Sequence, residues 1–405
     1  MAEENPDIYE RLDVPKVVNA AGTKTRIGGS LIREEAVEAM VEAAGSFVRL
    51  SDLQARAGEL ISDVTGAEAG YVTPGASAGL MLGTAACIAG DDVEVMSRLP
   101  DTEGVPDEVV MPRTHRTGYD HAIRGAGAEI VDVGTNDYHL GTGAENVEPW
   151  EIERAISEDT AAVGYVQKPY TSPPLDRVVE ISHAHDVPVI VDAAAELPPT
   201  ENLSRFVEMG VDLIVFSGGK AVRGPQTTGV LAGRQDLIQS AAIQHLDMHA
   251  AGPAWSPPAE LVDTDRFDGV PRQGIGRPMK VGKEELAGLI RALECFCEED
   301  EEALCREWRA RAEQMADGLA GSDVLETSIS GGDKTAVAPE VVVTVDEERA
   351  STTTAGLVDD LRQENPRVFV GADGLHECKF TLNPMCLTDD EANYVVDRIL
   401  ASVNA

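Results

Sequence analysis

Lysine is scarce in this chain. Eight lysines stand beside 25 arginines, and together they face 71 acidic residues in 405 positions. The formal net charge is −38 and the isoelectric point is near 4.4. A chain so short of cations repels nucleic acid and anionic membranes. Its acids are spread from Glu34 and Glu35 through Asp91 and Asp92 to Asp389, Asp390 and Glu391 rather than gathered into a tail. That spread suits a solvated surface in high salt, where self-repulsion is screened.

Cysteine is also thin. The six thiols, at 87, 295, 297, 305, 378 and 386, form no C-x-x-C and no spacing that zinc sites use. They read as reduced thiols of a cytoplasmic protein. The opening "MAEENPDIYERLDV" lacks the basic start and apolar core of a signal peptide. Residues 69–90 are uncharged, but they hold Pro74 and five glycines and read as a buried loop and helix around a ligand, not a membrane span. Aromatic residues make up only 4%, and 43% hydrophobic content is that of a soluble enzyme with a large core. There is no internal repeat and no low-complexity tract.

What is present is an alternation of short apolar runs with helical segments. Runs at 109–111, 129–133, 161–166, 187–191, 213–216 and 229–231 read as strands, with helices between several of them at 119–124, 151–156 and 176–185. Helices are also expected at 35–44 and 52–64, the latter opened by Ser51 or Asp52 as cap. The pattern predicts an α/β fold with a mainly parallel sheet. A Pro- and Gly-containing stretch, 251–278, interrupts it and leads to a small α+β domain in which one long helix runs from Gly282 to about Leu319. The expected organisation is an arm (1–30), a large domain (31–270) and a small C-terminal domain (271–405).

Three features fall at or near strand ends. "TPGASAG" (73–79) precedes a helical stretch, and such a turn offers backbone N–H groups to an anion; packing of small residues explains it equally well. "VPVIVDAAAE" delivers Asp192 to the end of an apolar run, as the partner of a protonated ring nitrogen or as a helix cap. "VDLIVFSGGKAVRGP" sets Lys220 just past another run, where ligands bind in open parallel sheets and where a solvated loop lysine is the plainer alternative. Pyridoxal phosphate needs a phosphate nest, an acid and a lysine. All three occur, in that order.

The segments "NAAGTKTRIGGS" (19–30), "THRTGYDHAIRGAGAEIVDVG" (114–134), "VDAAAELPP" (191–199), "FSGGKAVRGPQTTGVLAG" (216–233) and "GIGRPMKVGKEEL" (274–286) resemble the SelA-like family of fold-type-I pyridoxal phosphate enzymes. That family includes selenocysteine synthase (L-seryl-tRNA selenium transferase) and D-glucosaminate-6-phosphate ammonia-lyase. The resemblance covers nearly the whole chain after residue 15. It implies an aspartate-aminotransferase-like fold, pyridoxal 5'-phosphate as cofactor and a homodimer or larger homo-oligomer. Carried over by position, Lys220 is similar to the lysine that holds the cofactor, Asp192 to the partner of its ring nitrogen and His115 to the residue stacked on its ring. Gly75, Ala76 and Ser77 match the start of the phosphate loop, and Ser217 adds a phosphate hydrogen bond. Without the motif, His115 reads as a surface histidine beside Arg113 and Arg116.

Arg277 and Lys280 resemble the family's cationic pair near the active site, Arg277 as the fork for a substrate carboxylate. Lys24, Arg26 and Lys280 are candidates for a distal phosphate, with structural ion pairs as the alternative. Only 18 residues precede Asn19, and with the acidity this disfavours a tRNA substrate. "SGGKA" and "VDAAAE" look closer to the ammonia-lyase branch, whereas "GPQTTG" with Gln226 looks closer to the transferase branch. The implied reaction is α,β-elimination from a hydroxylated 2-amino acid, a sugar-derived one such as D-glucosaminate or its 6-phosphate, giving a 2-oxo-3-deoxy acid and ammonia. Aminotransfer, racemisation, aldol-type cleavage, a seryl-tRNA transferase-like reaction and a non-catalytic protein on this fold stay open.

Overall fold

The computed structural model describes residues 7–135, 147–331 and 338–404. They divide into two compact units, Ile32–Glu299 and the chain before Ile32 together with that from Asp300 onward. Strand β1 (Val17–Ala20) lies in the terminal unit. The central unit holds β2 (Ala69–Thr73), β3 (Glu108–Pro112), β4 (Glu129–Val133), β5 (Thr160–Val166), β6 (Val189–Asp192), β7 (Leu213–Ser217) and β8 (Gly229–Gly233). The terminal unit resumes with β9 (Leu325–Ser330), β10 (Glu340–Val345), β11 (Arg367–Val370) and β12 (Lys379–Leu382).

The seven central strands lie in the order β2-β8-β7-β6-β5-β3-β4. All neighbours are parallel except β8, which runs antiparallel to both β2 and β7. Side chains alternate between two apolar layers. Val163, Val189, Val191, Ile214 and Phe216 enter one, and Ala162, Ile190, Leu213 and Val215 the other. A strand buried on both faces must be apolar throughout, which is why these strands appear as unbroken runs in the sequence.

The uncharged stretch 69–90 is strand β2 followed by the helix Ala76–Ala89, so the loop-and-helix reading missed a strand. Gly79 and Gly83 let the helix approach the sheet. A Cβ would stand 2.8 Å from Val215 Cγ1 at the first and 2.6 Å from Ile190 Cδ1 at the second. Among the described residues no helix is long and apolar enough to cross a membrane.

Two expectations about helices are corrected. The helix of residues 50–65 is capped by Arg49, not by Ser51 or Asp52, and Asp52 instead accepts from Arg49 Nε at 2.8 Å. The single helix expected from 282 to 319 is two, Lys283–Glu298 and Glu301–Leu319. Arg33 holds Glu299 with two bonds of 3.1 and 2.8 Å, and Asp300 leaves helical geometry and accepts from Ala303 N–H at 2.9 Å. A fixed carboxylate and a new N-cap end one helix and start the next.

The terminal unit is α+β. Strands β12-β10-β9 form an antiparallel sheet and β1 pairs in parallel with β11. Its core gathers Met315 and Leu319 of Glu301–Leu319, Leu357 and Leu361 of Thr354–Gln363, and Val395 and Ile399 of Asp389–Asn404.

Candidate active site

Strands β5, β6 and β7 end side by side, with Val166 opposite Asp192 and Asp192 opposite Val215. Asp192 is therefore the last residue of a central strand. Ala194 N–H donates to its Oδ1 at 2.9 Å, and its carbonyl accepts from Gln167 N–H at 2.8 Å. Burial pushes the acid's pKa up, while the Ala194 N–H and the ammonium groups of Lys220 and Lys168 pull it back.

Lys220 sits in a tight turn after β7, half-buried. Gly218 N–H donates to Thr228 O at 2.9 Å and Arg223 N–H to Lys220 O at 3.0 Å. The two preceding glycines are required by crowding. A Cβ on Gly218 would lie 2.2 Å from Thr228 Oγ1, and one on Gly219 would lie 2.6 Å from Gln226 Cα. The doubled glycine thus folds the turn back on the Gln226–Thr228 segment, and Lys220 is carried by a packed turn rather than a loose loop.

The helix Ala76–Ala89 starts at the same edge. Its N-cap, Gly75, has φ +97°, a region that favours glycine, and no side chain caps the helix. Its first N–H groups have no intrahelical acceptor. Gly229 lies beneath this turn, where a Cβ would meet Gly75 C at 2.5 Å, and Gly229 pairs with Thr73 on one side and Ser217 on the other. Ser217 and the segment Gly75–Ser77 are thereby brought together. Within "TPGASAG", Gly75 forms the turn at the helix N-terminus and Gly79 is the residue that packs on the sheet.

His115 is buried, which corrects the surface reading. Its Nδ1 accepts from Val166 N–H at 3.3 Å and its Nε2 lies 3.2 Å from the Ser172 carbonyl. Those partners require a proton on Nε2 and none on Nδ1. Burial lowers the imidazole pKa to about 4, so the ring is neutral. It meets the Tyr165 ring edge-on, with centroids 4.5 Å apart. With both nitrogens engaged, His115 offers the flat face of its ring, its one N–H proton being held by the Ser172 carbonyl.

Sequence reasoning missed a partly buried ion pair at this edge. Lys168 Nζ lies 2.9 Å from Glu196 Oε1, and the Glu196 side chain is 7% exposed. Burial pushes the Glu196 carboxyl up and Lys168 opposes the shift. The available signals were a rare lysine two residues past a strand and an acid four residues past Asp192.

Arg277 and Lys280 lie elsewhere. They line a cavity of about 520 Å³ in the central unit, with Arg49, Tyr71, His245 and Trp255; Lys220, Asp192 and His115 do not line it. Arg277 Nη2 is 3.2 Å from Asp247 Oδ2. The Asp247 carboxyl is held down at about 2 by the His249 N–H, then by Gln273 and Arg277. The cavity wall also holds a pair the sequence did not reveal, Tyr71 hydroxyl to His245 Nδ1 at 2.8 Å, with His245 Nε2 on the Met279 carbonyl. Lys24 and Arg26 belong to the terminal unit, at the 3-10 turn Thr25–Ile27.

The family model for aminotransferase class-V matches residues 126–250, which include Asp192 and Lys220. D-glucosaminate-6-phosphate ammonia lyase of Salmonella typhimurium is 32% identical over 97% of this chain and 97% of its own. The 5'-C-glycyluridine monooxygenase-decarboxylase of a Streptomyces species is 31% identical over 96% of this chain and 90% of its own. A solved structure of D-glucosaminate-6-phosphate ammonia-lyase superposes with a TM-score of 0.79 at 30% identity, covering 99% of this chain and 100% of that one.

Proposed function

The chain belongs to the SelA-like family of fold-type-I pyridoxal phosphate enzymes, and from that premise we propose that it catalyses α,β-elimination from a hydroxylated, sugar-derived 2-amino acid such as D-glucosaminate or its 6-phosphate. The observation that carries this reading is the full-length likeness, in sequence and in structure, to an ammonia lyase.

The residues at the carboxyl edge of the sheet fit the cofactor. An uncapped helix N-terminus beside Ser217 suits its phosphate, the half-buried Asp192 carboxylate suits its ring nitrogen, and the neutral His115 ring suits its face. Pyridoxal phosphate, when bound, supplies an electron sink for the bonds at the substrate's α-carbon. Lys220 would hold the group through Nζ and, as a neutral amine, would accept the substrate's α-proton. Asp192 would hold a proton at the group's ring nitrogen. The proton on Lys220 would be returned to the departing β-hydroxyl, which leaves as water, and a second water would hydrolyse the resulting enamine, as its imine, to a 2-oxo-3-deoxy acid and ammonia.

Arg277 binds the substrate carboxylate with the part of its fork that Asp247 leaves open, and Lys280, Lys24 and Arg26 receive a distal phosphate. Because Arg277 and Lys280 line a cavity apart from Lys220, a homodimer that combines the two follows from this reading. Phe47 and Val48, which directly precede Arg49 of that cavity in the chain, are exposed apolar residues, and a second copy of the chain would cover them. Acidity argues against a nucleic-acid partner, and with free cysteines it suits a cytoplasmic, salt-adapted enzyme.

The Streptomyces relative favours a second reading, oxidative decarboxylation, so the test must separate the two. Purified protein in high salt is given D-glucosaminate 6-phosphate, and ammonia, 2-oxo acid, oxygen uptake and carbon dioxide are measured. Ammonia with 2-oxo acid and no oxygen uptake is expected. Oxygen-dependent carbon dioxide, or amino-group exchange with an added 2-oxo acid, would overturn elimination.

A further inference from the structure

The assignment of Lys220 and Asp192 made above leaves a difficulty that the Lys168–Glu196 pair resolves. A buried carboxylate stays ionised only if its surroundings replace the water it has lost. Asp192 has three such supports: the Ala194 N–H and the ammonium groups of Lys220 and Lys168. The first is fixed. The charge on Lys220 is not, because attack on a carbonyl cofactor and abstraction of a proton both require a neutral amine. At that stage Lys168 is the one remaining cation among these three supports.

Other groups near Asp192 do not take over. Tyr119, Asp120 and Tyr165 share its crevice. Asp120 is bound by Arg116 Nε at 2.5 Å and by Thr117 N–H at 3.1 Å. The Tyr165 hydroxyl donates to Pro173 O at 2.8 Å, and His115 is neutral. Glu196 is an anion facing Asp192, Lys220 and Lys168, and its bond to Lys168 is what keeps that ammonium in place. The register explains the meeting. Val166 lies opposite Asp192, so Lys168 and Glu196 leave adjacent strand ends two and four residues on. Withdrawing Lys168 would leave the buried Glu196 charge uncompensated, and withdrawing Glu196 would leave the half-buried Lys168 ammonium without its partner.

We propose that Lys168, held by Glu196, is a positioning cation for Asp192, keeping that acid ionised while Lys220 is neutral. A pair that served only to staple two loops would behave differently, because either substitution would break the same contact with the same result. A charge role gives opposite signs. Lys168→Met removes a cation, so protonation of the Lys220-linked nitrogen becomes easier. Glu196→Gln leaves Lys168 unneutralised, so it becomes harder.

The test is a pH titration of the visible band of the holoprotein, with pyridoxal phosphate affinity by equilibrium dialysis, in the wild type and in Lys168→Met, Lys168→Arg, Glu196→Gln and the double variant Lys168→Met with Glu196→Gln. The titration midpoint should move up by about one pH unit in Lys168→Met and down by a comparable amount in Glu196→Gln. Lys168→Arg should stay close to the wild type, the double variant should lie between the single ones, and affinity should fall about tenfold in Lys168→Met. Shifts of one sign in both single variants, or none, would overturn the proposal while leaving Lys220 assigned. If Lys168→Met does not fold, Glu196→Gln alone decides by the sign of its shift. A wild type that binds the cofactor without a visible band would overturn the Lys220 assignment and this proposal together.

Discussion

At the amino edge of β7, Asp212 is buried and accepts from Val189 N–H at 2.8 Å and from Arg234 Nη1 at 3.3 Å, with His183 Nε2 at 2.8 Å. At the carboxyl edge of β6, Asp192 accepts from Ala194 N–H and otherwise leans on two lysines. Both are acids at the ends of adjacent strands in one sheet. The difference lies in the partners. Two of the Asp212 partners, the Val189 N–H and the Arg234 guanidinium, do not titrate in the working range, and they hold Asp212 in the structure whatever the state of His183. Lysine can give up its charge, so the surroundings of Asp192 can change during a reaction. The acids at the two edges thus serve different ends, and the permanence of their partners tells which.

The strongest way to break that contrast is Lys220→Ala. It should abolish the borohydride-reducible visible band and lower turnover by on the order of 10³-fold, with the melting temperature nearly unchanged. Asp192→Asn should retain the fold and lower turnover by about 10²-fold, read as kcat at saturating cofactor. His115→Gln sharpens the contrast through pH. The folded pKa of His115, about 4, lies below the ordinary 6.5, so the unfolded chain binds the proton first. Stability from this residue is full above pH 6.5 and is lost as pH falls towards 4, by up to about 3 kcal/mol. Asp192 and Glu196, raised by burial, act in the opposite sense, so the informative quantity is the difference between wild type and variant in urea titrations across that window. Asp212→Asn is the mirror experiment and the smallest effect. It should cost about 2 kcal/mol of unfolding free energy, because Val189 N–H loses an ionised acceptor, and leave the visible band unmoved.

How much of this was legible beforehand depended on the range of the interactions. The parallel strands could be read because burial on both faces forces unbroken apolar runs, as in Leu213–Phe216. Strand β2 could not, since its five residues lead through Pro74 and Gly75 straight into an equally uncharged helix. The end of the helix Lys283–Glu298 was hidden because the bond that stops it comes from Arg33, 266 positions away. Lys168 and Glu196 each looked like ordinary loop charges until the strand register set them 2.9 Å apart. His115 looked like a surface residue because its burial comes from the Ser172 segment, 57 positions on.

The sequence by itself determined the α/β order, the acidic surface, the scarcity that made Lys220 conspicuous and the triplet of turn, acid and lysine, because all of these are written in local composition and spacing. Only the tertiary structure decided that Asp192 feels the charges of two lysines, that His115 is neutral, and that Arg277 and Lys280 line a cavity apart from Lys220. Burial, charge state and proximity depend on which distant segments pack against a residue, and no window of neighbouring positions contains that information.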